Sequence, residues 1–188
     1  MGNMMKPNDS IKYILSGFVM AYSFLLMYLS SFQEVITGDG FYYCVWTVHS
    51  VFPPVYPILI QSLGLVTLEI EKAGTLVSML AMCGNVILVY FLAKKFIPNW
   101  WSLGAAITFA LVPISLRSGV LVMSEATYMF FVLLSFIFFE RKNILCSIFA
   151  SLAFLTRPEA AVFFTGLLVF HFVKYRKFSE IAWMFGVF

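Results

Sequence analysis

The chain has 188 residues, of which 62% are hydrophobic and 11% charged, less than half the charged share of an average soluble domain. A mean hydropathy of +0.94 excludes a water-soluble fold and a disordered chain. The net charge of +3 is too small for a nucleic-acid binder. A bilayer crossing takes about 20 apolar residues, so the chain has room for about six or seven helical spans with short loops. The expected class is an all-α polytopic membrane protein.

The first span is predicted over 13–33, which carries no charge. The apolar run has only a poor small-residue cleavage site at Tyr28-Leu29-Ser30-Ser31-Phe32, so it reads as a retained span rather than a signal peptide. Residues 34–72 read as an external loop. Within it, Phe41 to Leu68 is uncharged, yet it holds Thr47, His49, Gln61 and the prolines Pro53, Pro54 and Pro57, which suit a helix core poorly. Interfacial helical pieces broken at Pro53-Pro54 are expected instead. The aromatic residues Tyr42, Tyr43, Trp46, Phe52 and Tyr56 belong at that depth.

Further spans are predicted over 73–93, ended by Lys94-Lys95, and over 100–116, opened by Trp100-Trp101. A fourth covers 120–139, with Glu125 near its start and Glu140-Arg141-Lys142 at its end. The runs 143–157 and 160–173 are short for spans, so each is expected to be tilted or to lie beside a water-filled cavity. A seventh begins over 181–188, where the sequence stops. No internal repeat or low-complexity tract is present.

Six crossings put Lys6, Lys12, Lys94, Lys95, Arg141, Lys142, Lys174, Arg176 and Lys177 on one side and leave Lys72, Arg117 and Arg157 on the other. The positive-inside rule makes the first side cytoplasmic. Glu34, Asp39, Glu69, Glu71, Glu125 and Glu159 then face outward. A crossing within Phe41–Leu68 would invert the second half of this pattern. The expected location is the cell membrane, multi-pass, with a cytoplasmic N-terminus.

Ionisable groups near spans are costly and are functional candidates by default. Asp39 lies in Thr37-Gly38-Asp39-Gly40, just beyond the first span. Its flanking glycines allow close backbone approach to a ligand, and the competing reading is an ordinary turn aspartate. Glu125 follows Arg117-Ser118-Gly119, where a first-turn glutamate also serves the helix dipole. Arg157-Pro158-Glu159 links the fifth and sixth spans, and an external arginine runs against the charge bias. His49 and His171 read as packing or interfacial residues. Cys44, Cys83 and Cys146 fall singly in apolar runs, which fits small buried hydrophobes better than a disulfide or zinc set. No GxGxxG, Walker A or HExxH motif occurs, so nucleotide-binding and soluble hydrolase mechanisms lack support.

The acid after the first span, the Pro53-Pro54-Val55-Tyr56-Pro57 loop and Glu71-Lys72-Ala73-Gly74-Thr75-Leu76-Val77-Ser78 form one ordered set. Pro113-Ile114-Ser115-Leu116-Arg117-Ser118 with Ser124-Glu125-Ala126, and Leu152-Ala153-Phe154-Leu155-Thr156-Arg157-Pro158-Glu159, extend it. Together, over about residues 13–173, they resemble the bacterial and archaeal GT-C membrane glycosyltransferases. The resemblance is to the branch of the protein O-mannosyltransferases and undecaprenyl-phosphate aminoarabinose transferases.

That resemblance implies a GT-C transmembrane bundle that takes a hexosyl or pentosyl group from a polyprenyl-phosphate donor on the extracytoplasmic side. The acceptor would be a protein, lipid or glycan. Asp39 matches the catalytic base, Arg157 the phosphate-facing cation and Glu125 the acid of the second external loop. Arg117 and Tyr56 join the substrate-binding candidates. Many members carry a second acid after the first, where this chain has Gly40. Members also carry a periplasmic C-terminal half, so the resemblance implies the N-terminal part of a longer enzyme. No cofactor is implied with certainty, and a divalent metal stays an open alternative.

The chemistry is coherent. A hydroxyl attacking an anomeric carbon needs a base, while a phosphate leaving group needs cations rather than an acid, and arginine suits its oxygens. The rival readings are a multi-pass transporter and a non-enzymatic structural membrane protein whose external acids only solvate loops. Transporters place their charged or broken segments near the midplane of repeated halves, whereas the charges here gather at one face.

Overall fold

The computed structural model describes residues 7–32, 38–45, 53–67, 69–139 and 143–175. Among them every regular element is helical: α1 Pro7–Ser30, α2 Gly38–Cys44, α3 Val55–Thr67, α4 Ile70–Ala93, α5 Asn99–Leu111, α6 Pro113–Val120, α7 Glu125–Phe138, α8 Asn143–Phe154 and α9 Ala160–Tyr175. The span expected over 181–188 lies outside the described residues.

Helices α1 and α4, of 24 residues each, reach about 36 Å. Both are long and apolar enough to cross a bilayer. A third crossing results if α5 and α6 count as one span bent by 62°. The bend has a local cause. Pro113 has no N–H to donate and drives the residue before it out of helical geometry, so Val112 sits at φ −61°, ψ 133°. The straight run expected over 100–116 therefore breaks at Val112. The next helix likewise starts late, because Leu121 is extended at φ −81°, ψ 152° and α7 begins only at Glu125. At 14, 12 and 16 residues, α7, α8 and α9 fall short of the length that spans a membrane. Length and composition thus support two crossings, or three with the bent pair.

Helix α4 is the central post, packing against α1, α3, α5, α6 and α7. Its buried residues Met79, Met82, Val86 and Tyr90 recur at helical spacing and meet Ile11, Leu15, Tyr22 and Leu26 of α1 and Leu103, Ala106 and Ala110 of α5. The outer face of α1 carries exposed Tyr13, Met20, Phe24 and Tyr28, a surface suited to lipid.

Helices α4 and α7 run in parallel: Gly74 lies beside Val122, Gly84 beside the Phe130 ring, and Lys95 Nζ donates to the Ile137 carbonyl at 3.4 Å. Helix α8 returns beside α7, with Phe149 stacked on Phe131 and Phe138. The start of α7 and the end of α8 therefore share one end of the bundle, and Lys94-Lys95 marks the other. The segment between α1 and α4 begins and ends at the first of these, since Ser30, Ser31, Glu69 and Glu71 line one cleft. Its helix α3 starts immediately after Pro53-Pro54, as the proline pair predicts. It runs back along the first turns of α4, with Ile60 near Gly74 and Ile70 near Gly64.

Glycine makes the close approach of α4 to α7 at Gly84, and to the link before α7 at Gly74, possible. A Cβ at Gly74 would stand 2.6 Å from Val122 Cγ1 and 3.4 Å from Ile60 Cδ1. Gly74→Ala is expected to destabilise the protein by about 1–3 kcal/mol through overpacking. Gly17→Ala, which meets nothing within 4 Å, should instead gain about 0.5–1 kcal/mol from helix propensity. Thermal melts in one detergent compare the two. Shifts of the same sign would contradict the packing described.

Candidate functional site

The break at Val112-Pro113 turns α6 across the end of the bundle, and the extended link 121–124 then delivers Glu125 to the first turn of α7. A helix N-terminus favours a carboxylate there. From the other direction, the link after α8 brings Arg157 to the same place. Its Nη1 donates to Glu125 Oε1 at 2.5 Å, and its Nη2 donates to Glu159 Oε1 at 3.3 Å. The side chains of Arg157 and Glu125 are 30% and 36% exposed, and Glu159 is 64% exposed. The Glu125 arm is thus the shorter and better shielded, and the Glu159 arm the looser.

Burial pulls the Arg157 pKa down, but the hydrogen bonds to Glu159 and Glu125 outweigh it and hold it above the usual arginine value. A hydrogen bond from its own backbone N–H, followed by the Arg157 contact, holds the Glu159 carboxyl below its ordinary value. The second oxygen of Glu125, Oε2, is buried and has no hydrogen-bond partner among the described residues. A buried acceptor without a donor is costly. These groups line a cleft of about 320 Å³ together with Ser115, Ser118 and Tyr128, over an apolar floor that includes Met82 and Met129.

Two networks brace the cleft from behind. Asn85 Nδ2 on α4 donates to the Ala126 carbonyl at 2.9 Å, fixing the first turn of α7. Tyr56 Oη lies 2.7 Å from Ser78 Oγ, which donates to the Met123 carbonyl at 3.3 Å. Tyr56 Oη also lies 3.5 Å from the Gly74 carbonyl, to which it can donate. Tyr43 of α2 packs edge-on against Tyr56, with ring centroids 5.0 Å apart, and its hydroxyl is 3.1 Å from Ser124 Oγ, next to Glu125. The Val55 N–H donates to the Leu155 carbonyl at 3.1 Å, tying α3 to the link that carries Arg157.

The structure thus unites Glu125 and Arg157, both expected from sequence, and adds Glu159, Ser115, Ser118 and Tyr128. The other expected residues fall elsewhere. Tyr56 is fully buried and lies outside the cleft lining. It bolts α3 to α4, and Tyr56→Phe is expected to cost about 0.5–1.5 kcal/mol, the range of one net hydrogen bond, read as a lower thermal midpoint. An unchanged midpoint would remove that role. Arg117 is exposed on the last turn of α6, away from its buried face of Ser115, Ser118 and Gly119. It pairs with no carboxylate among the described residues and does not line the cleft.

Asp39 belongs to the first turn of α2, four residues before Tyr43, but its side chain lies outside the described part, as does that of His171. His49 lies outside the described residues. The three cysteines are free thiols, with Cys146 buried and Cys44 and Cys83 half-buried. Among the described residues no three His, Cys, Asp or Glu side chains gather as a metal-holding group. The described donor set therefore does not by itself make a metal centre. Compared with known protein families, curated proteins and solved structures, the chain matches none.

Proposed function

We propose that this chain is an integral membrane glycosyltransferase that moves a hexosyl or pentosyl group from a polyprenyl-phosphate donor to a protein, lipid or glycan hydroxyl. The reaction takes place on the extracytoplasmic side of the cell membrane. The observation that carries the reading is the Arg157–Glu125 contact, which joins residues 32 apart in sequence at one cleft. It matches the two later elements of the GT-C resemblance. In this reading the N-terminus and Lys94-Lys95 are cytoplasmic. Helices α7, α8 and α9 complete a multi-pass bundle as short or tilted crossings around the polar cleft.

Charge counting assigns the roles. Arg157 with Glu125 and Glu159 carries one net negative charge, a poor seat for a phosphate as it stands. The looser, more exposed Glu159 arm is the one a phosphate displaces. Two carboxylate-bound arms leave further guanidinium N–H groups for the donor oxygens. Glu125 keeps the planar group aimed, and its free Oε2 accepts a hydrogen bond from a sugar hydroxyl. The leaving oxygen gains charge in the transition state, so the Arg157 contact strengthens as the bond to the sugar breaks. Asp39 takes the acceptor proton, as in the enzymes the chain resembles. Apolar walls beside these groups suit a lipid-linked donor.

Deleting the protein from its own cell tests this reading. Polyprenyl-phosphate sugar should accumulate, and one sugar should vanish from a surface acceptor. Unchanged lipid-linked sugar pools and unchanged surface glycans would refute it.

A further inference from the structure

At the end of the bundle opposite the Arg157 cleft, α4 and α7 separate around a groove of about 390 Å³. Leu88, Phe91 and Leu134 form its apolar walls, while Lys94 and Lys95 stand at its lip. Part of the lysines' presence is explained locally, since cations favour the C-terminus of a helix. Lys95 Nζ donates to the Ile137 carbonyl at 3.4 Å, and Lys94 Nζ lies 6.0 Å from the Tyr90 ring centroid. Those contacts leave most of the six ammonium protons unused. Neither lysine pairs with a carboxylate among the described residues. Among the described residues no acid lines the groove.

The depth of this groove is marked independently. The link from α4 to α5 and the first turn of α5 expose Phe96, Trp100 and Trp101, which are 80%, 60% and 74% exposed. Aromatic residues of this kind belong at the membrane–water boundary. Two cations at headgroup level above an apolar slot between helices match a molecule with a phosphate at one end and hydrocarbon at the other. A soluble anion would have no use for the apolar walls.

We propose that the α4–α7 groove is a binding site for an anionic phospholipid of the surrounding bilayer. The phosphate rests between Lys94 and Lys95, and an acyl chain follows Phe91 and Leu88 into the slot. The site is separate from the sugar-transfer cleft and does not depend on that function. Bound lipid clamps the ends of the parallel pair α4 and α7.

Native mass spectrometry of the full-length protein, released from phosphatidylcholine micelles doped with phosphatidylglycerol, tests the assignment. Wild type should retain phosphatidylglycerol at low mole fraction. The double variant Lys94→Gln/Lys95→Gln should need roughly thirtyfold more, given the attraction of each surface cation. Lys94→Arg/Lys95→Arg should retain it, and Lys72→Gln, at the far end and already paired with Glu69, should bind like wild type. Both lysines are exposed, so loss of fold does not confound the result, and equal thermal midpoints check this. Equal retention by wild type and the Gln double variant would overturn the proposal. So would an equal loss in Lys72→Gln, or competition by inorganic phosphate as effective as by phosphatidylglycerol.

Discussion

Asp39→Asn is expected to slow sugar transfer by about 10²–10⁴-fold, the contribution of a positioned general base. In barrier terms this is about 3–5 kcal/mol. Asparagine keeps the size and a hydrogen-bonding oxygen but accepts no proton at neutral pH. Donor binding should survive, because in the proposed reaction the acid acts on the acceptor hydroxyl and the loss belongs to the transition state. Stability should stay within about 0.5 kcal/mol, as for an ordinary surface substitution. The position of Asp39 is consistent with this expectation. It lies in the first turn of the short helix α2, which Tyr43 anchors against Tyr56 and against Ser124, the neighbour of Glu125 in the chain. An ordinary turn aspartate would give no kinetic effect at all. Rates measured at saturating donor separate the two readings.

Arg157→Ala should behave differently, because it touches binding, turnover and stability together. In the proposed reaction, the substitution removes a cation that would hold donor phosphate in the ground state and more strongly in the transition state. A loss of about 10²–10³-fold in kcat/KM is expected, the size of losing one preorganised donor to developing negative charge, and KM should rise as kcat falls. It also strips Glu125 of its partner at Oε1, leaving the carboxylate with neither oxygen bonded by a described residue. The pair is about one-third exposed, so water relieves part of that loss and a cost of about 1–2 kcal/mol follows. Arg157→Lys keeps the charge without the two-armed geometry. It should recover stability better than activity. A variant whose KM alone rises would mark Arg157 as a uniform binding contact with no role in the chemical step.

Much of the helical layout was legible because charges and prolines punctuate this chain so sparsely. The uncharged run 73–93 became α4 at 70–93, and Pro53-Pro54 did mark the start of α3. Pro113 is the counterexample. The hydrophobic run carries straight through it to Leu116, but the missing N–H and the constraint on Val112 break the helix there. That break re-aims α6 and supplies Ser115 and Ser118 to the cleft.

The site was legible as residues but not as a constellation. Glu125 and Arg157 each stood out as charges beside apolar runs. Their pairing follows from the antiparallel packing of α8 on α7, which sets positions 125 and 157 level at one end. Tyr56 shows the opposite failure. A tyrosine in a proline-rich loop reads as a ligand contact, and only the packing of α3 on α4 reveals that its hydroxyl is spent on Ser78. Glu125 Oε2, without a partner among the described residues, had no signal in sequence, since pairing is a property of three-dimensional neighbours.

The most direct measurement is sugar transfer from a panel of labelled polyprenyl-phosphate sugars by the purified full-length protein. Wild type is set beside Asp39→Asn and Arg157→Ala at matched folded fractions. Wild type should transfer label from one donor and release polyprenyl phosphate in equal amount, with each variant at least about a hundredfold slower. Transfer by both variants at the wild-type rate, or no transfer by wild type from any donor to any hydroxyl acceptor supplied, would contradict the account.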